Sequence, residues 1–328
     1  MSGSLIDPHR RVVDYLRVSI TDLCNLRCLY CRPPEGVKLI SHDDILRYEE
    51  ILEIVQLAKD MGIRKLRITG GEPLVRRGVL DFVSMLTKMD GIEDVGLTTN
   101  GVLLAAMARD LRIAGLTRIN ISLDSIRRET FKQITGGDCL EAVLEGIRIA
   151  LEEGFDPVKI NVVLLEGINE ADIPAFARLT LDRRIDVRFI ERMPFGANFK
   201  THSPDSFSAQ KALEMIRREV GDLHPVDRDV LGGPATMFSL PGALGRVGII
   251  DPVSGHFCGS CNRLRLTARG TLRPCLLGPL EIDIKSALRG GASLGELAEI
   301  IRGAVLAKPM GHLLNPTTMS DGMNQIGG

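Results

Sequence analysis

Over roughly the first 190 residues, short apolar runs alternate with longer amphipathic stretches. The runs Tyr15–Ile20, Lys65–Thr69, Asp94–Thr98, Arg118–Leu123, Val158–Leu164 and Asp186–Ile190 are rich in Ile, Val and Leu. Each ends at a turn signal or a polar residue, which predicts strands. The intervening stretches carry helical periodicity. In the clearest, the acidic turn Ser41-His42-Asp43-Asp44 opens a helix with Ile45, Leu52, Val55 and Lys59 on one face. Ile51, Ile54 and Ala58 lie beside that face, and Gly62 stops the helix. Further helices are predicted near Val79–Met89, Leu103–Ala114, Leu140–Glu153, Glu170–Leu181 and Ser208–Val220.

Strand–helix alternation of this kind predicts a parallel sheet covered by helices. Six units fit where a complete (β/α)8 barrel needs eight. The α/β fold expected is therefore a partial barrel of (β/α)6 type or an open, doubly wound sheet. Either places a ligand at the C-terminal ends of the strands. After residue 192 the alternation degrades, with Met193–Pro204 reading as loop and Gly232–Pro234 and Pro241–Gly245 as turns. Residues 193–328 read as a second layer or small domain attached to a 1–192 unit.

Composition narrows the function. Charged residues are 25% and hydrophobic ones 44% of the 328, which suits a globular chain and excludes extended disorder. The net charge is −1 and there is no Trp, so neither a basic field nor an aromatic platform points to nucleic acid. No apolar run spans a bilayer, and the N-terminus lacks a signal-peptide pattern, so the expected location is cytoplasmic. In that compartment seven cysteines argue for metal or redox chemistry over disulfides.

Three of them follow the first strand as Cys24, Cys28 and Cys31, spaced C-x3-C-x2-C in one loop. Thiolates in this pattern suit zinc or an iron–sulfur cluster. Zinc would recruit a fourth protein ligand, and the nearest His, His42, has no finger spacing. A four-iron cluster would keep one iron open. One βα unit later, Gly70-Gly71-Glu72-Pro73 ends a strand with paired glycines, which let a backbone approach a ligand closely. Ser122 ends the fourth strand, where it reads as a ligand contact or a helix N-cap.

A second triad, Cys258, Cys261 and Cys275, has C-x2-C-x13-C spacing, which also fits a zinc ribbon that His256 could close. Cys139 reads as a small buried hydrophobe. Between the distal cysteines, Arg263 and Arg265 share one strand face and form an anion clamp or a solvated edge. Arg17 and Arg67 sit inside predicted buried strands, where a guanidinium needs a negative partner.

The loop Cys24-Asn25-Leu26-Arg27-Cys28-Leu29-Tyr30-Cys31, the GGEP turn and the distal Phe257-Cys258-Gly259-Ser260-Cys261-Asn262-Arg263-Leu264-Arg265 resemble the radical S-adenosylmethionine superfamily. Together with the terminal Gly327-Gly328, they resemble within it the GTP 3′,8-cyclases of molybdenum cofactor biosynthesis, over Asp14 to Gly328. The resemblance implies two [4Fe-4S] clusters, one on Cys24, Cys28 and Cys31 and an auxiliary one on Cys258, Cys261 and Cys275 in the C-terminal extension. It implies S-adenosylmethionine contacts from Tyr30, Gly71, Ser122 and Met193. GTP contacts are implied for Arg17, Arg67, Thr98, Lys159, Arg263, Leu264 and Arg265, with Arg17, Arg263 and Arg265 serving catalysis alongside the first triad. It implies a Gly-Gly tail that threads into the active site. The implied reaction converts GTP to (8S)-3′,8-cyclo-7,8-dihydroguanosine 5′-triphosphate. A flavodoxin-type reductant and a homodimer are the protein partners compatible with this reading. Two alternatives stay open: another two-cluster radical enzyme acting on a peptide or different nucleotide, and a zinc-stabilised nucleotide-binding protein.

Overall fold

A computed structural model of the chain describes residues 4–31, 39–193, 207–227, 233–255, 257–311 and 323–326. His256, the Gly-Gly tail and most of the 193–204 segment lie outside them. Six strands arise where the apolar runs predict them: β1 (Tyr15–Ser19), β2 (Lys65–Thr69), β3 (Asp94–Thr99), β4 (Arg118–Ser122), β5 (Val158–Leu164) and β6 (Ile185–Glu191). They pair in parallel and in sequence order.

The C-terminal third corrects the expectation of a separate layer. Its strands are β7 (His224–Val226), β8 (Thr236–Ser239), β9 (Arg246–Ile250), β10 (Arg263–Leu266), β11 (Thr271–Arg273) and β12 (Ile282–Asp283). Strand β9 adds in parallel to β6, and β10 adds in parallel to β1. Eight parallel strands therefore stand in a row, edged by antiparallel β8 and β7 on one side and β11 and β12 on the other. The two edges do not meet, so the barrel is partial.

Alternation along each strand organises the layers. Leu16, Val18, Leu66, Ile68, Leu97, Ile119, Ile160 and Val187 point outward into one continuous core shared with the helices. Their neighbours point inward and are polar, including Arg17, Arg67, Asn120, Lys159 and Arg188. On a flat sheet β2 and β6 would stand roughly 19 Å apart at about 4.8 Å per strand. Arg67 nevertheless depresses the pKa of Arg188 more than any other charged side chain does. The sheet must curl to bring them together.

One helix boundary shifts markedly. The first helix runs Tyr48–Asp60, not from the Asp43-Asp44 turn, because the Glu50 carboxylate accepts from Arg47 N at 2.7 Å at its start. The helices Arg128–Thr135, Lys285–Arg289, Leu294–Leu306 and Met323–Ile326 had no expectation. No helix among the described residues is long and apolar enough to cross a membrane.

Candidate active site

The first cysteine loop leaves the C-terminal end of β1 and lies against the turn after β2. Gly71 N donates to Thr21 O at 2.7 Å, and Glu72 N donates to Leu23 O at 2.7 Å. A Cβ on Gly71 would sit 2.3 Å from Leu23 O, so only glycine permits this contact. The close approach expected of the paired glycines is made here to the cysteine loop's own backbone.

Glu72 is buried beneath this loop. Its carboxylate accepts from Asn100 N at 2.6 Å, Thr99 Oγ1 at 2.7 Å and Leu74 N at 3.0 Å. Burial outweighs these donors and raises its pKa to about 7. Asn100 Nδ2 in turn reaches Asn25 Oδ1 at 2.7 Å and Cys24 Sγ at 3.8 Å. On the far side, Tyr30 Oη donates to Asp124 Oδ2 at 2.7 Å, and Val163 N donates to Asp124 Oδ1 at 2.7 Å. Burial raises the Asp124 pKa to about 6. The Cys28 thiol is pushed well up by burial, then by Asp124 and the neighbouring Cys31 and Cys24.

Inside the curled sheet, charge is layered. At the N-terminal ends of the strands, Asp94 pairs with Arg118, and Asp186 with Arg246 at 2.9 Å. Over the cavity wall as a whole the balance is positive. Arg17, Lys65, Arg67 and Lys159 line the cavity with Arg188, Arg263 and Arg265, against only Asp94 and Asp124. Gly96 makes this packing possible, since a Cβ there would lie 2.2 Å from Arg67 Nη1. Burial and neighbouring cations depress Arg17 and Arg188 to about 10 and Lys159 to about 7. Arg265 is driven well below its usual value by burial, then by Arg17 and Arg263. Tyr15 accepts from Arg67 Nε at 3.1 Å and falls to about 8, because Arg67, Arg17 and Arg263 together outweigh its burial. Arg67 Nη1, Arg188 Nη2, Thr98 Oγ1, Asn120 Oδ1 and Asn161 Oδ1 are buried without a hydrogen-bond partner among the described residues. The unsatisfied donors of Arg67, Arg188 and Thr98 beside surplus positive charge suit a polyanion.

The second triad flanks β10 and lines a smaller, adjoining cavity. In register, Arg263 lies beside Tyr15 and Arg265 beside Arg17, so the distal clamp meets the proximal arginines across one strand pair. Arg263 also stacks over Phe257, 4.8 Å from the ring centre. Burial would raise the Cys261 thiol, but Arg263 and Lys308 lower it to about 7. Leu264 points to the opposite face and is 1% exposed in the main core, so its side chain cannot touch a ligand in the cavity. Residues Met323–Ile326 bridge the two loops: Met323 N donates to Cys31 O at 3.0 Å, and Ile326 packs with Leu277, Cys275 and Met193.

The expected residues Tyr30, Gly71, Thr98, Ser122 and Met193 all line the large cavity together with Cys24, Cys28 and Cys31. Cys258, Cys261 and Cys275 line a smaller cavity that shares Arg263, Arg265 and Met193 with it. Both triads are free thiols, half-buried and open to these spaces, a donor set that fits iron–sulfur clusters. Cys139 caps a helix at the edge of the core and stands apart. Sequence reasoning passed over Lys65 and Arg188. The alternation rule that flagged Arg17 and Arg67 would have found both.

Residues 18–180 match the Radical SAM superfamily model, and residues 185–314 match the Molybdenum Cofactor Synthesis C model. Solved structures agree on the fold. Streptococcus suis SuiB superposes with a TM-score of 0.59 at 14% identity, covering 82% of this chain and 62% of that one. Its S-adenosylmethionine-bound form also gives 0.59, covering 90% and 69%. Fold and site thus define a radical S-adenosylmethionine protein. The GTP 3′,8-cyclase of Heliobacterium modesticaldum is 48% identical across 99% of this chain and all of its own length. That of Desulforamulus reducens is 47% identical over 99% and 100%. The chain belongs to the GTP 3′,8-cyclase family.

Proposed function

We infer that this protein is a radical S-adenosylmethionine lyase with two [4Fe-4S] clusters. It cyclises GTP to (8S)-3′,8-cyclo-7,8-dihydroguanosine 5′-triphosphate, the first step of molybdenum cofactor biosynthesis. One observation carries the reading: the first cysteine triad lines a cavity with a cationic wall, and the second triad lines a smaller cavity that shares Arg263, Arg265 and Met193 with it.

Cys24, Cys28 and Cys31 would hold the cluster that binds S-adenosylmethionine, and Cys258, Cys261 and Cys275 the one beside the substrate. When bound, the first cluster and its cofactor supply one-electron chemistry that removes hydrogen from the ribose C3′ of GTP. The protein's own residues bind and orient. Arg17, Arg67, Lys159, Arg263 and Arg265, joined by Lys65 and Arg188, would neutralise the triphosphate with forked hydrogen bonds. Thr98 offers an unsatisfied hydroxyl on the same wall. Tyr30, Gly71, Ser122 and Met193 line the portion beside the first triad and would hold the cofactor. Tyr30 is fixed for this by Asp124. Holding C3′ in reach of C8 while excluding water is the protein's contribution to rate. The division near residue 192 separates the two cysteine triads, while the cationic wall draws on residues from both sides of it. A flavodoxin-type donor fits the demand for an external electron.

Anaerobically reconstituted protein should carry about eight irons, two four-iron clusters' worth. It should convert GTP only with both S-adenosylmethionine and a reductant. About four irons per chain with no GTP turnover would refute the reading.

A further inference from the structure

Lys308 follows the helix Leu294–Leu306 and reaches the second cysteine loop from outside the sheet. It is 4% exposed. Its ammonium has three protons and three acceptors: Arg263 O at 2.7 Å, Pro274 O at 2.9 Å and Cys261 Sγ at 3.9 Å. One acceptor precedes Cys275, one belongs to the substrate clamp, and one is a cysteine of the triad. Among the described residues Lys308 has no carboxylate partner, which is unfavourable for a buried cation. The nearest groups able to balance it are the thiolates of Cys261 and Cys275.

Arg11 fastens the same segment. It donates to Pro309 O at 2.6 Å, Met310 O at 3.2 Å and Cys258 O at 2.6 Å. Lys308 borders the smaller cavity with all three distal cysteines and does not line the larger cavity with its cationic wall. It therefore acts on the loop, not on the substrate. The counterpart on the first triad is the neutral Asn100 amide at Cys24. Hydrogen bonds to cluster sulfurs and nearby net charge set how readily an iron–sulfur group accepts an electron.

We propose that Lys308 is a positioning residue of the second cluster: it locks Cys261, Pro274 and Arg263 in register, and its fixed charge stabilises that cluster's one-electron-reduced form. The proposal rests on the two-cluster reading above. The added electron comes from an external reductant such as dithionite.

The test uses reconstituted full-length protein carrying Lys308→Met or Lys308→Arg, with iron counts and EPR-monitored redox titration. Signals are assigned by their response to GTP for the second cluster and to S-adenosylmethionine for the first. In Lys308→Met the GTP-responsive signal should be reduced at least tenfold less at a fixed potential, about 59 mV for a one-electron couple. The S-adenosylmethionine-responsive signal should not move, and Lys308→Arg should recover most of the shift. Loss of the second cluster's iron in the Met variant but not in the Arg variant would also support the role. A Met variant that titrates like wild type, equal shifts of both signals, or equal iron loss in both variants would overturn it. Wild-type protein without a second iron–sulfur signal would remove the two-cluster reading itself, and this is seen before any variant is made.

Discussion

The two cysteine loops flank adjacent strands, β1 and β10, and line neighbouring cavities that share Arg263, Arg265 and Met193, yet their surroundings differ in charge. Around the first stand Asp124, the Asn100 amide and the buried Glu72. Around the second stand Arg263, Lys308 and Arg11. The thiols register the contrast: Cys28 is pushed well up, while Cys261 is held down at about 7. A negative or neutral surround makes an added electron less favourable, and a positive one makes it more so. One loop suits a centre that gives its electron away. The other suits a centre that sits beside an anionic ligand and keeps it in place.

The largest effect should come from Cys24→Ser. Formation of 5′-deoxyadenosine should fall below detection, while GTP binding, measured by equilibrium dialysis, stays near wild type. Loss of GTP binding would erase the division between the loops. Next is the pH response of Glu72, whose pKa is raised from 4.5 to about 7. A raised carboxyl stabilises the fold below its unfolded pKa, and that stabilisation is lost as pH climbs through the folded value. At 1.36 kcal/mol per pKa unit, wild type should lose about 3 kcal/mol relative to Glu72→Gln between pH 4.5 and above 7, read by urea unfolding. Parallel pH curves for the two proteins would show that the carboxylate is not destabilised there.

Arg265→Ala should weaken GTP binding by about 2 kcal/mol, roughly thirtyfold in Kd, with S-adenosylmethionine cleavage retained. Failure of cleavage in that variant would mean that the second loop also serves the cofactor. The smallest effect belongs to Leu264→Val, the residue between the two clamp arginines. It should cost about 1 kcal/mol of stability for the lost methylene and leave GTP affinity unchanged. A changed affinity would place Leu264 back among the ligand contacts.

What the sequence revealed follows from physics that acts locally. Strands β2 and β5 fall on their expected boundaries and the other four within one or two residues, because each carries an outward apolar row. The same rows displayed Arg17 and Arg67 as misfits, and that was the most informative signal outside the cysteines. Pairing of β9 and β10 with strands made far earlier leaves no local trace, so the C-terminal third looked detached. The helix Arg128–Thr135 is short and mostly polar, with Phe131 and Ile134 as its large apolar residues. The helix Leu294–Leu306 was passed over although its Ser293–Glu296 capping box is a local signal. Lys308 could not be read at all, since one lysine past a helix end acquires meaning only from the carbonyls and sulfur it meets.

Strand order has a consequence for how the chain comes to be folded. Asp14 and Asn262, 248 residues apart, hydrogen-bond where β1 receives its neighbour β10. Until that late segment emerges from the ribosome, the outer edges of both β1 and β6 are bare, each a template for pairing with a stranger. So long a loop closure is slow to find. A nascent or truncated chain ending before residue 246 would present two sticky edges and a half-built anion trough. Its natural fate is aggregation, not partial activity.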